Sequence, residues 1–340
     1  MPDGSADRPA AHGAGSTVVA LAGGVGGAKL ADGLQAHVGE RLAVVVNTGD
    51  DCVRHGLLVM PDHDTVLYNL AGIEQVEWGW GIEGDTQHTM WQLVAYGEES
   101  WFTLGDRDLA LHIARTARVR GGARLTDVCL GLQRSLGIEG RILPMADEPV
   151  RTEVRTDEGW LEFQEYFVHR RQAPEVHEVR FVGLAAAGPT PEVLAAFADA
   201  SAIVLCPSNP IVSVGPILAV PEMRSAIGGA RARGVPVVAV SPIIGGRALK
   251  GPADRMLTSL GHEPSALGVA RLYADVADVF VLDTVDAGTA PAVEALGLRT
   301  LVTDAVMTDD PTRARLAAEV LTAVGVNATG AWQMRRSVVE

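Results

Sequence analysis

Short, uninterrupted apolar runs recur along the chain, separated by segments whose apolar positions repeat every three or four residues. The runs Val18–Leu21, Leu42–Asn47, Ala202–Pro207, Val235–Val240, Val279–Asp283 and Thr300–Thr303 are mostly Val-rich and apolar on both faces, which suits strands of a covered parallel sheet. Helical spacing fills the gaps at Ala28–Val38, Pro191–Ala200, Ile217–Arg233, Pro264–Val276, Ala290–Leu296 and Pro311–Val324. Strand and helix therefore alternate, and the predicted fold class is α/β: a three-layer, doubly wound, mostly parallel, Rossmann-like sheet.

The middle of the chain breaks this alternation. From Thr65 to Leu136 the pattern is mostly helical, clearest at Met90–Ala95 and Leu109–Val119. Between Arg141 and Val182 it becomes hairpin-like around the Asp157–Glu158–Gly159 turn. The spacing predicts a Rossmann-like core over 17–64 and 183–326, with an insertion over 65–182 that caps the carboxyl ends of the strands, where ligands of open α/β sheets bind. Residues 1–16 are polar and rich in Gly, Ala, Pro and Asp, and read as a disordered tail with no signal-peptide pattern; 327–340 reads as a C-terminal tail. No internal repeat is visible.

Directly after the first strand comes AGGVGGAK, Ala22–Lys29, with glycines at 23, 24, 26 and 27. Such a turn lets the backbone approach an anion while the helix N-terminus offers unpaired N–H groups, so it reads as a phosphate cradle. The alternative is a tight strand-to-helix turn that needs glycine for packing alone. A Walker loop requires Gly before the Lys and Ser or Thr after it, whereas Lys29 lies between Ala28 and Leu30. The dinucleotide fingerprint starts correctly at Gly24 and Gly26 but places Lys29 where a small residue belongs. Asp50 and Asp51 lie where a ribose-binding acid would, which keeps a nicotinamide enzyme as a competing reading.

The 340 residues are 47% hydrophobic, ample for a large core. A net charge of −14 excludes a nucleic-acid backbone as the main partner. Cys52, Cys129 and Cys206 are odd in number and widely spaced, so neither a disulfide framework nor a zinc knuckle is expected, and a cytoplasmic location fits. No apolar stretch approaches the ~20 residues of a membrane span.

Candidate chemistry clusters at the predicted strand ends. Asn47–Thr48–Gly49–Asp50–Asp51 and Pro61–Asp62–His63–Asp64–Thr65 are two acidic turns beside a phosphate loop, as magnesium-dependent phosphoryl transfer requires. Singly, Asp50 and Asp64 would be helix caps or turn formers. A third turn, Leu104–Asp108, offers Arg107 to a phosphate and Asp106 to a substrate hydroxyl, or else Asp106 caps the helix that follows. His112 and Arg115 share one face of that helix. Two proline-stiffened loops, Pro207–Pro210 with Ser208 and Asn209, and Ser241–Gly246, suit a nucleotide; Lys250 and Gly251 follow. Trp78–Gly79–Trp80–Gly81 is a turn able to stack a planar ring or to form a buried aromatic pair.

Taken together, LAGGVGGAKLADGL, VVVNTGDD, HGLLVMPDHDTVLYNLAG, WGWGIEGDT, LGDRDLALHI, GRILPMAD, PSNPIVSVGPILAVP and VAVSPIIGGRALKGPAD, in order over Val18–Thr322, resemble the 2-phospho-L-lactate transferase (CofD-type) family of coenzyme F(420) biosynthesis. The resemblance implies transfer of a phospholactyl or phosphoenolpyruvyl group from a guanosine diphosphate donor to the ribityl hydroxyl of the deazaflavin Fo, with magnesium as cofactor and GMP released. By motif position it implies Asp50 and Asp64 as catalytic and metal residues, supported by Asp51 and Asp62. It implies Asp64, Thr103, Asp106 and Arg107 on the acceptor, and Gly23, Gly24, Gly26, Gly27, Lys29, Ser208, Asn209, Ser241 and Gly245 on the donor nucleotide and phosphates. Small-molecule partners, no membrane and a homodimer are expected. A related family of gluconeogenesis and cell-shape factors shares the glycine turn and binds nucleotide sugars, so a regulatory binding protein is the alternative.

Overall fold

A computed structural model describes residues 16–328. The tails expected at 1–16 and 327–340 lie almost wholly outside these residues; Ser16, at their edge, bonds to Asp199.

The core is a seven-stranded sheet. In chain order its strands are β1 (Thr17–Ala22), β2 (Leu42–Val46), β3 (Arg141–Pro144), β4 (Ala200–Leu205), β5 (Val237–Val240), β6 (Val279–Asp283) and β7 (Arg299–Thr303). Their order across the sheet is β7-β6-β5-β4-β1-β2-β3, and every pairing is parallel. Side chains alternate between two apolar layers: Val18 and Ala20 pack on one face, Val19 and Leu21 on the other. The first face is covered by α1 (Gly24–Val38), α2 (Pro61–Ala71) and the C-terminal helix Asp310–Ala323. The second is covered by helices that bring Phe197, Ile217, Ile227 and Tyr273 to the sheet. This is the expected three-layer, doubly wound architecture.

Strand order reverses between β1 and β4. The crevice outside their carboxyl ends is therefore the topological switch point, the place where such sheets bind ligands. The turn after β1 meets the turn after β4 there, and Gly23 N donates to Ser208 Oγ at 3.1 Å.

Three sequence expectations need correction. Residues 65–182 are not one separate insertion: α2 packs on α1, and Arg141–Pro144 is the edge strand β3, in register with β2 from Ala43 to Val46. The hairpin expected from Arg141 begins only at Arg151–Thr156, the middle strand of an antiparallel sheet with Gly159–Glu162 and Glu178–Val182. Its second strand gives way to a wide helical turn, Glu165–His169, because Phe163, Tyr166 and Phe167 repeat at helical and not strand spacing. Ile217–Arg233 is two helices, Val214–Ala219 and Met223–Ala232. Pro221 lacks an N–H and restricts Val220, and Glu222 turns the chain at φ 68°.

Two further helices complete the mouth, α3 (His88–Ala95) and α4 (Asp106–Arg120). Among the described residues no helix is long and apolar enough to cross a membrane.

Candidate active site

At the switch point lies a cavity of about 960 Å³. Its walls include Gly23, Gly24, Gly26, Lys29, Asp50, Asp62, Asp64, Thr103, Ser208, Asn209 and Ser241, so most of the residues singled out in the sequence converge on one space. Gly27, Asp106, Arg107 and Gly245 are not among its walls.

The glycine turn is more crowded than a bare phosphate cradle. Gly24 adopts φ +60°, which L side chains rarely take. At Gly23, Gly26 and Gly27 a Cβ would collide with Asp62 and Ser213, the Pro207 carbonyl, and Ser208 Oγ, respectively. The anion at the N-terminus of α1 is the protein's own: Gly24 N donates to Asp62 Oδ1 at 2.7 Å. Lys29 reaches along the wall to donate to the Met307 carbonyl at 2.9 Å. Burial, with Arg313 and Lys250 nearby, lowers its pKa.

Asp62 and Asp50 form one carboxylate group. Asn47, just past the end of β2, donates through Nδ2 to Asp50 Oδ1 and to Asp62 Oδ2, each at 2.9 Å. Burial and then the Asp62 charge push the Asp50 carboxyl well above its ordinary range. Burial also raises Asp62, to about 6, against the hydrogen bonds from Asn47 and Gly24. Asp51 is likewise pushed up by burial and does not reach the cavity wall.

Asp64 faces the opposite environment. Arg115, fully buried on α4, grips both of its oxygens, through Nη1 to Oδ2 at 3.0 Å and through a shorter bond from Nη2 to Oδ1. Burial works against the charge, yet Arg115, aided by His63 and His112, holds this carboxyl below the usual range. His112 stands between two carboxylates, its Nδ1 3.6 Å from Asp64 Oδ2 and its Nε2 3.2 Å from Asp108 Oδ1. Asp108 also accepts a short bond from the Tyr68 hydroxyl. Asp64, Asp108 and His112 bring ligand atoms within 4.8 Å of one another, a set that a cation would fit except that Arg115 already neutralises Asp64. The sequence assigns no site role to Asp108 or Arg115, although Asp108 closes the Leu104–Asp108 turn and Arg115 shares a helix face with His112.

The third turn is structural. Asp106 accepts from Thr86 Oγ1 and from the backbone N–H groups of His88 and Thr89, so it caps α3. Asp85 in exchange accepts from Arg107 N and Asp108 N and caps α4. Arg107 donates to the Glu83 carbonyl and lies outside the cavity. Ser208 and Ser241 line the cavity; Ser208 Oγ accepts from Gly23 N and so ties its loop to the glycine turn, Ser241 Oγ donates to the Ile243 carbonyl within its own loop, and Asn209 Oδ1 accepts from Ile211 N. Gly245 N donates to Asp286, away from the wall.

Aromatic side chains close two regions of the space. Trp101, Phe102, Phe163 and Phe167 line it together with Thr103, and Trp78 and Trp80 line it together with Lys250.

The family described as 2-phospho-L-lactate transferase CofD matches residues 18–321. A 2-phospho-L-lactate transferase of Methanosarcina mazei is 42% identical over 90% of this chain and 100% of its own. A phosphoenolpyruvate transferase of Streptomyces griseus is 43% identical over 89% of this chain and 97% of its own. The crystal structure of a UPF0052-family protein from Bacillus halodurans shares the fold at TM-score 0.57 and 16% identity, covering 90% of this chain and 98% of that one.

Proposed function

The chain belongs to the CofD family of 2-phospho-L-lactate transferases, and from that premise we propose that it moves a phospholactyl or phosphoenolpyruvyl group from a guanosine diphosphate-linked donor to the ribityl hydroxyl of Fo, releasing GMP. The observation that carries this reading is the convergence, in one cavity, of a carboxylate pair with no ion-pair partner among the described residues and a carboxylate locked by an arginine. A diphosphate beside Asp50 and Asp62 would be repelled unless a cation stood between them. These are hard oxygen donors, and their mutual repulsion is what a magnesium ion relieves. Asp50 and Asp62 would hold that ion, and Asp64, whose oxygens Arg115 occupies, serves the acceptor instead. A magnesium ion held there would supply charge neutralisation for the transferring phosphoryl group.

Lys29 and Lys250 line the same space and meet the remaining donor charge. Asp64 orients the hydroxyl by accepting its hydrogen bond, because a carboxylate kept ionised by Arg115 is a weak base but a rigid acceptor. As the hydroxyl oxygen bonds to the distal phosphorus, the bond from that phosphorus to the oxygen shared with GMP breaks, and the hydroxyl proton is released. Thr103 and the aromatic wall beside it take the acceptor ring. The same proposal carries a cytoplasmic homodimer, whose mass light scattering reads directly.

Incubating the chain with Fo, magnesium and either three-carbon donor should release GMP, with a matching mass increment on Fo. A folded chain that releases none, and instead binds a nucleotide sugar tightly, would refute the transferase reading.

A further inference from the structure

The turn Trp78–Gly81 has no role in the chemistry above, yet it is built into the cavity. Trp78 and Trp80 both line the space while about half exposed, at 52% and 48%. Their rings lie 5.5 Å apart, tilted by 33°. Two indoles left this open beside a cavity are not serving a core, and large exposed apolar surface of this kind marks a ligand contact.

The neighbours of the turn say which ligand. Lys250 Nζ donates to the Trp78 carbonyl at 2.9 Å, and a Cβ on Gly79 would lie 2.8 Å from Val25 Cγ1 and 2.9 Å from Lys250 Nζ. The tryptophans are thus fastened against the first turn of α1 and beside the cationic wall of Lys29 and Lys250, at the polyanion end of the cavity. The other aromatic group is already engaged within the protein. Trp101 stacks on His169 at 4.8 Å and 8°, and Arg54 lies 4.6 Å from its ring centroid. That group sits with Thr103, at the acceptor end.

We propose that Trp78 and Trp80 form the stacking platform for the purine of the donor, with Lys250 fixing the turn so that a base and its attached diphosphate are read together. This rests on the transferase reading and assigns a subsite within it. A ring carried on a diphosphate must lie where cations free to meet its phosphates and an open aromatic face adjoin; the tryptophan turn joins Lys250 to such a face, whereas the Trp101 ring is covered by His169 and Arg54. Both indoles offer π-surface to any base, so affinity comes from stacking and not from hydrogen-bond readout. Lys250 acts as a positioning residue: it holds the platform through the Trp78 carbonyl.

Calorimetric titration of GDP with magnesium, and separately of Fo, into the full chain tests this. The double variant Trp78→Ala, Trp80→Ala should bind GDP about tenfold or more weakly, the scale of base–aromatic stacking, while Fo affinity holds within about twofold. Phenylalanine at both positions should restore most of the GDP affinity. Unchanged GDP affinity in the alanine variant, or a loss that falls on Fo, overturns the assignment while leaving an active transferase. A parent chain that binds neither GDP nor Fo overturns both readings.

Discussion

Asp62 and Asp64 share one helical turn, yet their carboxyls are driven in opposite directions. Asp62 meets Asp50 and a helix N-terminus; Asp64 meets a guanidinium in direct hydrogen-bond contact. The sequence made the acidic turn legible but not this division. The deciding partner, Arg115, comes from α4, and no local pattern records which distant element will supply a charge. The energetic consequence is large because Arg115 is fully buried. Replacing Arg115 with Met removes the guanidinium and leaves the buried Asp64 charge with only His63 and His112 beside it, a defect that costs about 3–5 kcal/mol. Urea titration should therefore show the variant's midpoint falling steeply at an unchanged slope. A stability within about 0.5 kcal/mol of the parent would mean that the pair is surface-like and contributes little.

At the scale of elements, the third charged turn shows how a correct local signal receives the wrong address. Asp106 was legible as a cap, but the pattern assigned it to its own helix or to a substrate hydroxyl. In the structure α3 and α4 exchange caps: Asp106 serves His88 and Thr89, and Asp85 serves Arg107 and Asp108. A capping side chain satisfies whichever orphan N–H groups are near in space, and the N-termini of the two helices lie side by side, with Asp106 N donating to the Thr86 carbonyl at 2.8 Å. The exchange makes a kinetic prediction. Asp106→Ala should lower the melting temperature and fray α3 while leaving the Michaelis constant for Fo unchanged. A rise in that constant without loss of stability would return Asp106 to the acceptor. The glycine turn is a second instance: its sequence promised room for phosphate, whereas the structure fills much of that room with Asp62, Pro207 and Ser208.

For the whole molecule, the parallel sheet and its strand ends were legible because buried parallel strands read as plain apolar runs. The seam between core and cap was not legible, since β3 carries only four residues and ends in proline. That seam decides how the protein responds to ligand. The antiparallel sheet is not a loose flap: Val154, Phe163, Tyr166 and Val176 share one apolar cluster with Val212, on the loop after β4, and Met256, on the helix Ala253–Ser259. Met145, Ala146 and Val150, which lead from β3 into that sheet, belong to the main cluster under the strands. A cap joined in this way unfolds with the core, so calorimetry of the full chain should give one transition, not two. The cavity takes walls from both parts, so GDP with magnesium should raise that single transition as a unit, by about 2.7 kcal/mol of added stability at a hundredfold excess over the dissociation constant. Two resolved transitions, with ligand moving only one, would mean that the cap is an independent domain and that the site is assembled only when it docks.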